Sequence, residues 1–407
     1  VNAAAPGLDA LLATKEMVLV AGSGGVGKTT VAAALAASAA ANLGGRVLVL
    51  TVDPARRLAD ALGVGALGNA AARVPDAAFS AAGVRPRGEL WAAMLDTKAG
   101  WDELIQRHAP DEAIRDAVLS NPLYRNITSR FVHSHDYLAM ERLHELHASG
   151  EWDLVVVDTP PSRNALDVLD APGRMREFFG SRLLRWLTVP YRSRLFTAAS
   201  KPFYQVADRV LGSRFLQDIA DFFLLFQAME PTFVAHANEV EALLADPRST
   251  FVVVSTLETA PAHEAAHLAR ELTRRGLHLG AVIANRVLPT AFTGREAERS
   301  ADRLVAATGP DAADGAAAGL STRVAERLDA EPGTVAGVLG EIGRRFHDVA
   351  LVATREAERL AELGAFAPLV VSAPVLDRDP TDVSDLLALA DHLRRDPDPG
   401  TGRRGRR

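Results

Sequence analysis

The chain has 407 residues, 48% of them hydrophobic and 24% charged, with a net charge of −6 and no cysteine. That length and apolar content suit a globular protein with a substantial core and argue against global disorder. The acidic balance gives no footing to a nucleic-acid binder, and the lack of cysteine excludes disulfides, thiolate zinc sites, iron–sulfur clusters and thiol redox chemistry. The sequence shows neither a run of about 18 apolar residues nor a basic-then-apolar leader, so a cytoplasmic chain is expected, membrane-associated only through a partner.

In chain order, short apolar runs at Met17–Gly22, Arg46–Asp53, Trp152–Asp158, Phe251–Ser255, His278–Asn285 and Pro368–Ser372 predict strands buried on both faces. Glu89–Asp96 is a seventh candidate. Separated by helical stretches, they give an α/β fold: a doubly wound, mostly parallel sheet. The Ala-rich stretch Gly63–Gly88, punctuated by Pro and Gly, reads as a surface loop. Residues 13–96, 151–173 and 247–393 are expected to form the core, with a helical insertion at 286–363. Residues 97–150 and 174–246 form a helical subdomain, and 395–407, ending in Gly-Arg-Arg-Gly-Arg-Arg, a disordered basic tail.

Gly22-Ser23-Gly24-Gly25-Val26-Gly27-Lys28-Thr29 fits the G-x-x-x-x-G-K-[ST] pattern between a predicted strand and a predicted helix. Glycines let the backbone curl around phosphate oxygens and present its N–H groups, which side chains would obstruct. Lys28 then brings a point charge to the β and γ phosphates of ATP, and the Thr29 hydroxyl a ligand for Mg²⁺. Asp158 closes the apolar run Leu154–Val157 before Thr159-Pro160-Pro161 and becomes the second Mg²⁺ partner, because ligands of a parallel sheet bind at the carboxyl edge. Asp53, closing the second run, is the candidate to hold the attacking water; a helix-capping role before Pro54 is its structural alternative.

These residues together resemble the arsenical-pump and tail-anchored-protein-targeting ATPases, P-loop NTPases with a deviant Walker A loop. The resemblance rests on Gly24–Thr30, Asp53-Pro54-Ala55 with Leu58 and Asp60, Asp158–Pro161, Phe251–Val254 with Glu258, and Asn285–Pro289. It implies a dimeric Mg-ATPase, as a homodimer or as a heterodimer with a paralogous ATPase. Asp53 is then catalytic together with Lys28, and Gly22, Ser23, Gly24, Gly25, Val26, Gly27, Lys28, Thr29 and Thr30 hold the phosphates. Asn285 matches the adenine-recognising asparagine, Glu258 an acidic residue that contacts nucleotide from the facing subunit, and Pro374 a lining residue of the base pocket. For Asn285 a turn role at a strand end, and for Glu258 a surface carboxylate opening a helix, remain alternatives.

Three departures limit the transfer. The family usually carries a lysine where this chain has Ser23, and that lysine reaches the partner's phosphates; Arg56, Arg57 or Arg163 is a candidate substitute. Without cysteine, arsenite activation is not expected. With only 5 methionines in the chain, the region that forms a methionine-rich client groove in targeting factors is expected to differ here. The apolar faces Phe178, Phe179, Leu183, Leu184, Trp186, Leu187 and Phe215, Ile219, Phe222, Phe226, Met229 suit either a groove for a membrane-protein client or subdomain packing. A regulatory role beside an integral membrane transporter is the other use of such an ATPase. The cluster His133, His135, Asp136, His144 and His147 matches no metal-ligand spacing, so Mg²⁺ is the one metal expected.

Overall fold

The computed structural model describes residues 7–52, 57–95, 97–121, 134–159, 234–306 and 316–394, with isolated positions between them. Eight strands form one sheet in the order β3-β4-β2-β5-β1-β6-β7-β8. They are β1 (Met17–Ala21), β2 (Arg46–Thr51), β3 (Ala72–Arg73), β4 (Glu89–Met94), β5 (Leu154–Asp158), β6 (Ser249–Ser255), β7 (Leu279–Val287) and β8 (Val370–Pro374). Only the β3–β4 pairing is antiparallel.

The alternation of strand side chains explains why the runs are continuously apolar. Val18, Val20, Val47, Val49, Val156, Val252 and Val254 enter one core, while Met17, Leu19, Leu48, Leu50, Val155, Val157 and Val253 enter the other. A period-2 strand covered on both faces needs apolar residues at every position. On the first face lie α1 (Leu8–Ala13), α2 (Lys28–Asn42), α3 (Arg57–Leu62) and α4 (Asp76–Ala81), with a C-terminal helix over Val383–Arg394. Helix α2 is buried at every position from Val31 to Ala41, and its alanines let it lie close on the central strands.

The stretch expected to be a loop at Gly63–Gly88 instead contains β3 and α4. Val74 and Phe79, both buried in the first core, anchor it with help from the partly buried Val64, Leu67 and Val84, and apolar side chains so spaced among alanines give no visible period. The fourth strand, Glu89–Met94, joins the sheet beside β2.

After β4 come α5 (Thr97–His108), α6 (Glu112–Ser120) and α7 (Ser134–Ala148). Helix α7, a helical segment at 234–245 and α8 (Thr259–Arg274) cover the second face. Beyond β7, α9 (Arg295–Ala306) and α10 (Ala316–Leu328) pack against α11 (Pro332–Gly364), a single helix of 33 residues. The base of α11 is stitched to the sheet. Arg359 donates to the Leu257 carbonyl and to Thr259 Oγ1, Glu356 accepts from the Leu288 amide at 2.9 Å, and Leu360 and Leu363 enter the second core.

At the amino edge of the sheet the Arg46 guanidinium lies 5.3 Å from the Trp91 ring and 4.8 Å from the Trp152 ring, joining β2 to its neighbours. Arg46→Ala is expected to cost about 1 kcal/mol in denaturant unfolding through lost cation–π and stem packing, with nucleotide affinity unchanged.

Candidate nucleotide site

The loops after β1, β2, β5, β7 and β8 share the carboxyl edge of the sheet, because all five strands run parallel. The turn after β1 is built on glycines, two of which leave no room for a Cβ without a shift. At Gly22, φ is +152° and a Cβ would lie 2.1 Å from the Val254 carbonyl oxygen; at Gly27, φ is +95° and a Cβ would lie 2.3 Å from Asn285 Nδ2. Gly27 is the left-handed residue at the N-cap of α2, so the first amides of that helix open into the turn. Lys28, the first helical residue, is only 6% exposed and donates from Nζ to the Ser23 carbonyl at 2.9 Å. Its ammonium is thereby folded over the turn. The Ser23 hydroxyl is buried and has no hydrogen-bond partner among the described residues.

Three strand ends converge beside this turn. Thr51 and Asp158 are register partners on β2 and β5, and Asp158 is 1% exposed. Asp158 Oδ2 accepts from Thr29 Oγ1 at 2.7 Å and from Thr51 Oγ1 at 2.9 Å. With its proton committed to the carboxylate, the Thr29 oxygen keeps its lone pairs for a cation. The next residue, Thr159, is tied to β1 by donation of its hydroxyl to the Val20 carbonyl at 2.9 Å. A hydroxyl and a carboxylate at the mouth of a glycine-lined anion cradle are hard oxygen donors, the set that fits Mg²⁺ carried with phosphates. Thr51→Val is expected to destabilise the fold by about 2 kcal/mol in denaturant unfolding, since a buried carboxylate loses a charge-assisted hydrogen bond.

Asn285 is brought to the same turn. Its Nδ2 donates to the Val26 carbonyl at 2.8 Å and its Oδ1 accepts from the Arg286 amide at 3.0 Å. Arg286 is in the left-handed region, φ 59°, a conformation disfavoured for a residue with a side chain. Pro374 ends β8 as register partner of Val287, two residues beyond Asn285. Glu258 occupies the N-cap position of α8, yet its exposed side chain bonds none of that helix's amides. Thr30 is half-buried in the first turn of α2, and Gly24 and Gly25 are exposed at the tip of the loop.

Asp53, the side chain of Arg57, Arg56, Arg163, Pro160 and Pro161 lie outside the described residues, as do the apolar faces within 178–187 and, except for a half-buried Leu224, 215–229. Thr51 lies inside the apolar run Arg46–Asp53, and a hydroxyl at the carboxyl end of a buried strand is the sequence signal that marks it. No helix among the described residues is long and apolar enough to cross a membrane.

A glycine turn at a helix N-terminus, a folded-back lysine and a strand-end aspartate bonded to the helix threonine, on a mostly parallel sheet, fit the fold class of the P-loop NTPases. The family model for anion-transporting ATPases matches residues 15–303, and the chain belongs to that family. It is 32% identical over 277 residues to SCO2128, an uncharacterized protein of Streptomyces coelicolor, covering 67% of this chain and 62% of that protein's length. It is 27% identical over 290 residues to the ATPase GET3 of Malassezia globosa, covering 70% of this chain and 78% of the relative.

Proposed function

We propose that this chain binds and hydrolyses Mg-ATP as a dimer and converts nucleotide state into conformational change, handling a membrane-protein client or regulating a membrane transporter. The observation that carries the reading is the convergence of Thr29, Thr51 and Asp158 beside the glycine-lined turn. Lys28 and the loop amides hold the β and γ phosphates, while Thr29 and Asp158 hold the cation. A Mg²⁺ ion held there would supply neutralisation of charge developing on a transferred phosphoryl group. Asp53, next in sequence after Val52, orients the attacking water. Asn285 and Pro374 take the adenine, and Glu258 meets nucleotide bound by the facing subunit. The domain division set out from the sequence belongs to the same proposal, with the helical subdomain as the part that responds.

Calorimetry with Mg-ATP on the folded chain tests the binding step, and phosphate release tests hydrolysis. No uptake of Mg-ATP would end the proposal.

A second reading is favoured by Ser23, which supplies no cation to a partner's phosphates. In that reading the chain is a low-turnover regulatory subunit of a heterodimer with a paralogous ATPase. Adding a trans cation is worth a factor of about a thousand or more where such fingers act. Ser23→Lys is therefore expected to raise the turnover of the isolated chain at least about tenfold, measured by phosphate release. Fast turnover by the unaltered chain alone would remove the heterodimer reading.

A further inference from the structure

Helix α7 and the segment 234–245 lie together over the second face, where Met140, Leu143 and Leu146 share a core with Val240, Leu243 and Leu244. Above that apolar seam the two helices bring His144, His236 and Glu239 together. One ring nitrogen from each histidine and one carboxylate oxygen all lie within 4.8 Å of one another. His144 Nε2 is 3.5 Å from Glu239 Oε2, and the two imidazole centroids are 5.5 Å apart with planes at 73°. His236 and Glu239 stand three residues apart and therefore project from one side of their helix.

We propose that this cluster is a binding site for a divalent transition metal, with Zn²⁺ as the ion its chemistry suits best. A tetrahedral ion with bonds of about 2.0–2.1 Å keeps its ligand atoms about 3.4 Å apart. The separation of His144 from Glu239 is that of one edge of such a tetrahedron. Two imidazoles and a carboxylate form a borderline donor set, which selects zinc, cobalt or nickel over magnesium and calcium.

A second observation points the same way. Glu141, one turn before His144 and only 5% exposed, places Oε1 3.0 Å from His236 Nδ1. A carboxylate on the far nitrogen of a ligating imidazole fixes its tautomer and raises its basicity. In the site, the Glu141 carboxylate sits beside Nδ1, Nε2 takes the ion, and water completes the fourth position. His147, on the same helix, turns elsewhere: its Nε2 lies 2.9 Å from Glu16 Oε2.

The metal is a clamp rather than part of the nucleotide chemistry. Helix α7 leads into β5, which ends in Asp158, and the segment 234–245 leads into β6; these two strands flank β1. Fixing the two helices to each other therefore fixes the entry to both neighbours of the phosphate-loop strand.

The test uses the full chain without a polyhistidine tag, stripped with EDTA and titrated with Zn²⁺ by calorimetry, with the d–d absorption of Co²⁺ reporting tetrahedral geometry. One Zn²⁺ per chain and a rise in unfolding temperature are expected. His236→Ala and Glu239→Gln should each weaken uptake more than about a hundredfold, and Glu141→Gln should weaken it by about ten- to a hundredfold. His147→Ala should bind as the unaltered chain does. Glu239 is a largely exposed side chain, so Glu239→Gln keeps the test valid should a histidine variant fail to fold, as judged by circular dichroism in EDTA. Stoichiometric binding that survives His144→Ala combined with Glu239→Gln would overturn the site. So would a folded chain that takes up no Zn²⁺ at micromolar metal; the cluster would then be two histidine–carboxylate pairs and nothing more.

Discussion

Lys28→Ala is expected to lower ATP turnover by about a hundred- to a thousandfold, equivalent to roughly 3–4 kcal/mol of transition-state stabilisation. Alanine keeps the first turn of α2, since no residue favours a helix more, so what is removed is the ammonium and its stem. That ammonium is almost wholly buried and already folded onto the Ser23 carbonyl, so it meets the phosphates with little reorganisation. Phosphate release measures turnover, calorimetry measures any change in nucleotide affinity, and circular dichroism checks that the helix persists. Lys28→Arg should also lose most activity, because a planar guanidinium cannot occupy the place of a point charge in a cradle this close. Turnover unchanged in Lys28→Ala would mean that this loop does not carry the chemistry.

Gly22→Ala is expected to destabilise the fold by more than about 3 kcal/mol. A Cβ would come within 2.1 Å of a backbone oxygen of β6, a neighbour that cannot rotate away. Overpacking alone typically costs about 1–3 kcal/mol, and the disfavoured φ of +152° adds to it. Gly24→Ala is the internal control: nothing lies within 4 Å of a Cβ there, and stability should be unchanged within about 0.5 kcal/mol. Gly27→Ala differs again, because the obstructing atom is the end of the Asn285 side chain, which can move. Its stability loss should be smaller than that of Gly22→Ala, and its chief effect should fall on nucleotide affinity. Urea unfolding of the three variants ranks them, and a Gly22→Ala protein as stable as the parent would contradict the close approach of β1 to β6.

The central strands were legible because burial on both faces makes them nearly uninterrupted apolar runs rich in Val and Leu. What that signal could not carry was the cover of the sheet's first face. Helix α1 is six residues long and α4 holds one large apolar side chain, so neither shows a helical period. The glycine turn before α2 was readable since its pattern is local, contained in eight consecutive residues. The bond from Asn285 to Val26 spans 259 positions and exists only because β7 reaches the same edge. His236 escaped notice for the same reason: it lies 92 residues from His144 in sequence and joins it through helix packing.

The stitched base of α11 has a mechanical implication. At 1.5 Å per residue a continuous helix of 33 residues is roughly 50 Å long. Its anchors sit beside Glu258 and just past Asn285, so a tilt of about 5° where nucleotide would be sensed displaces the far tip by roughly 4 Å. A rod of that length multiplies a small adjustment at its anchored end into a larger displacement at its tip.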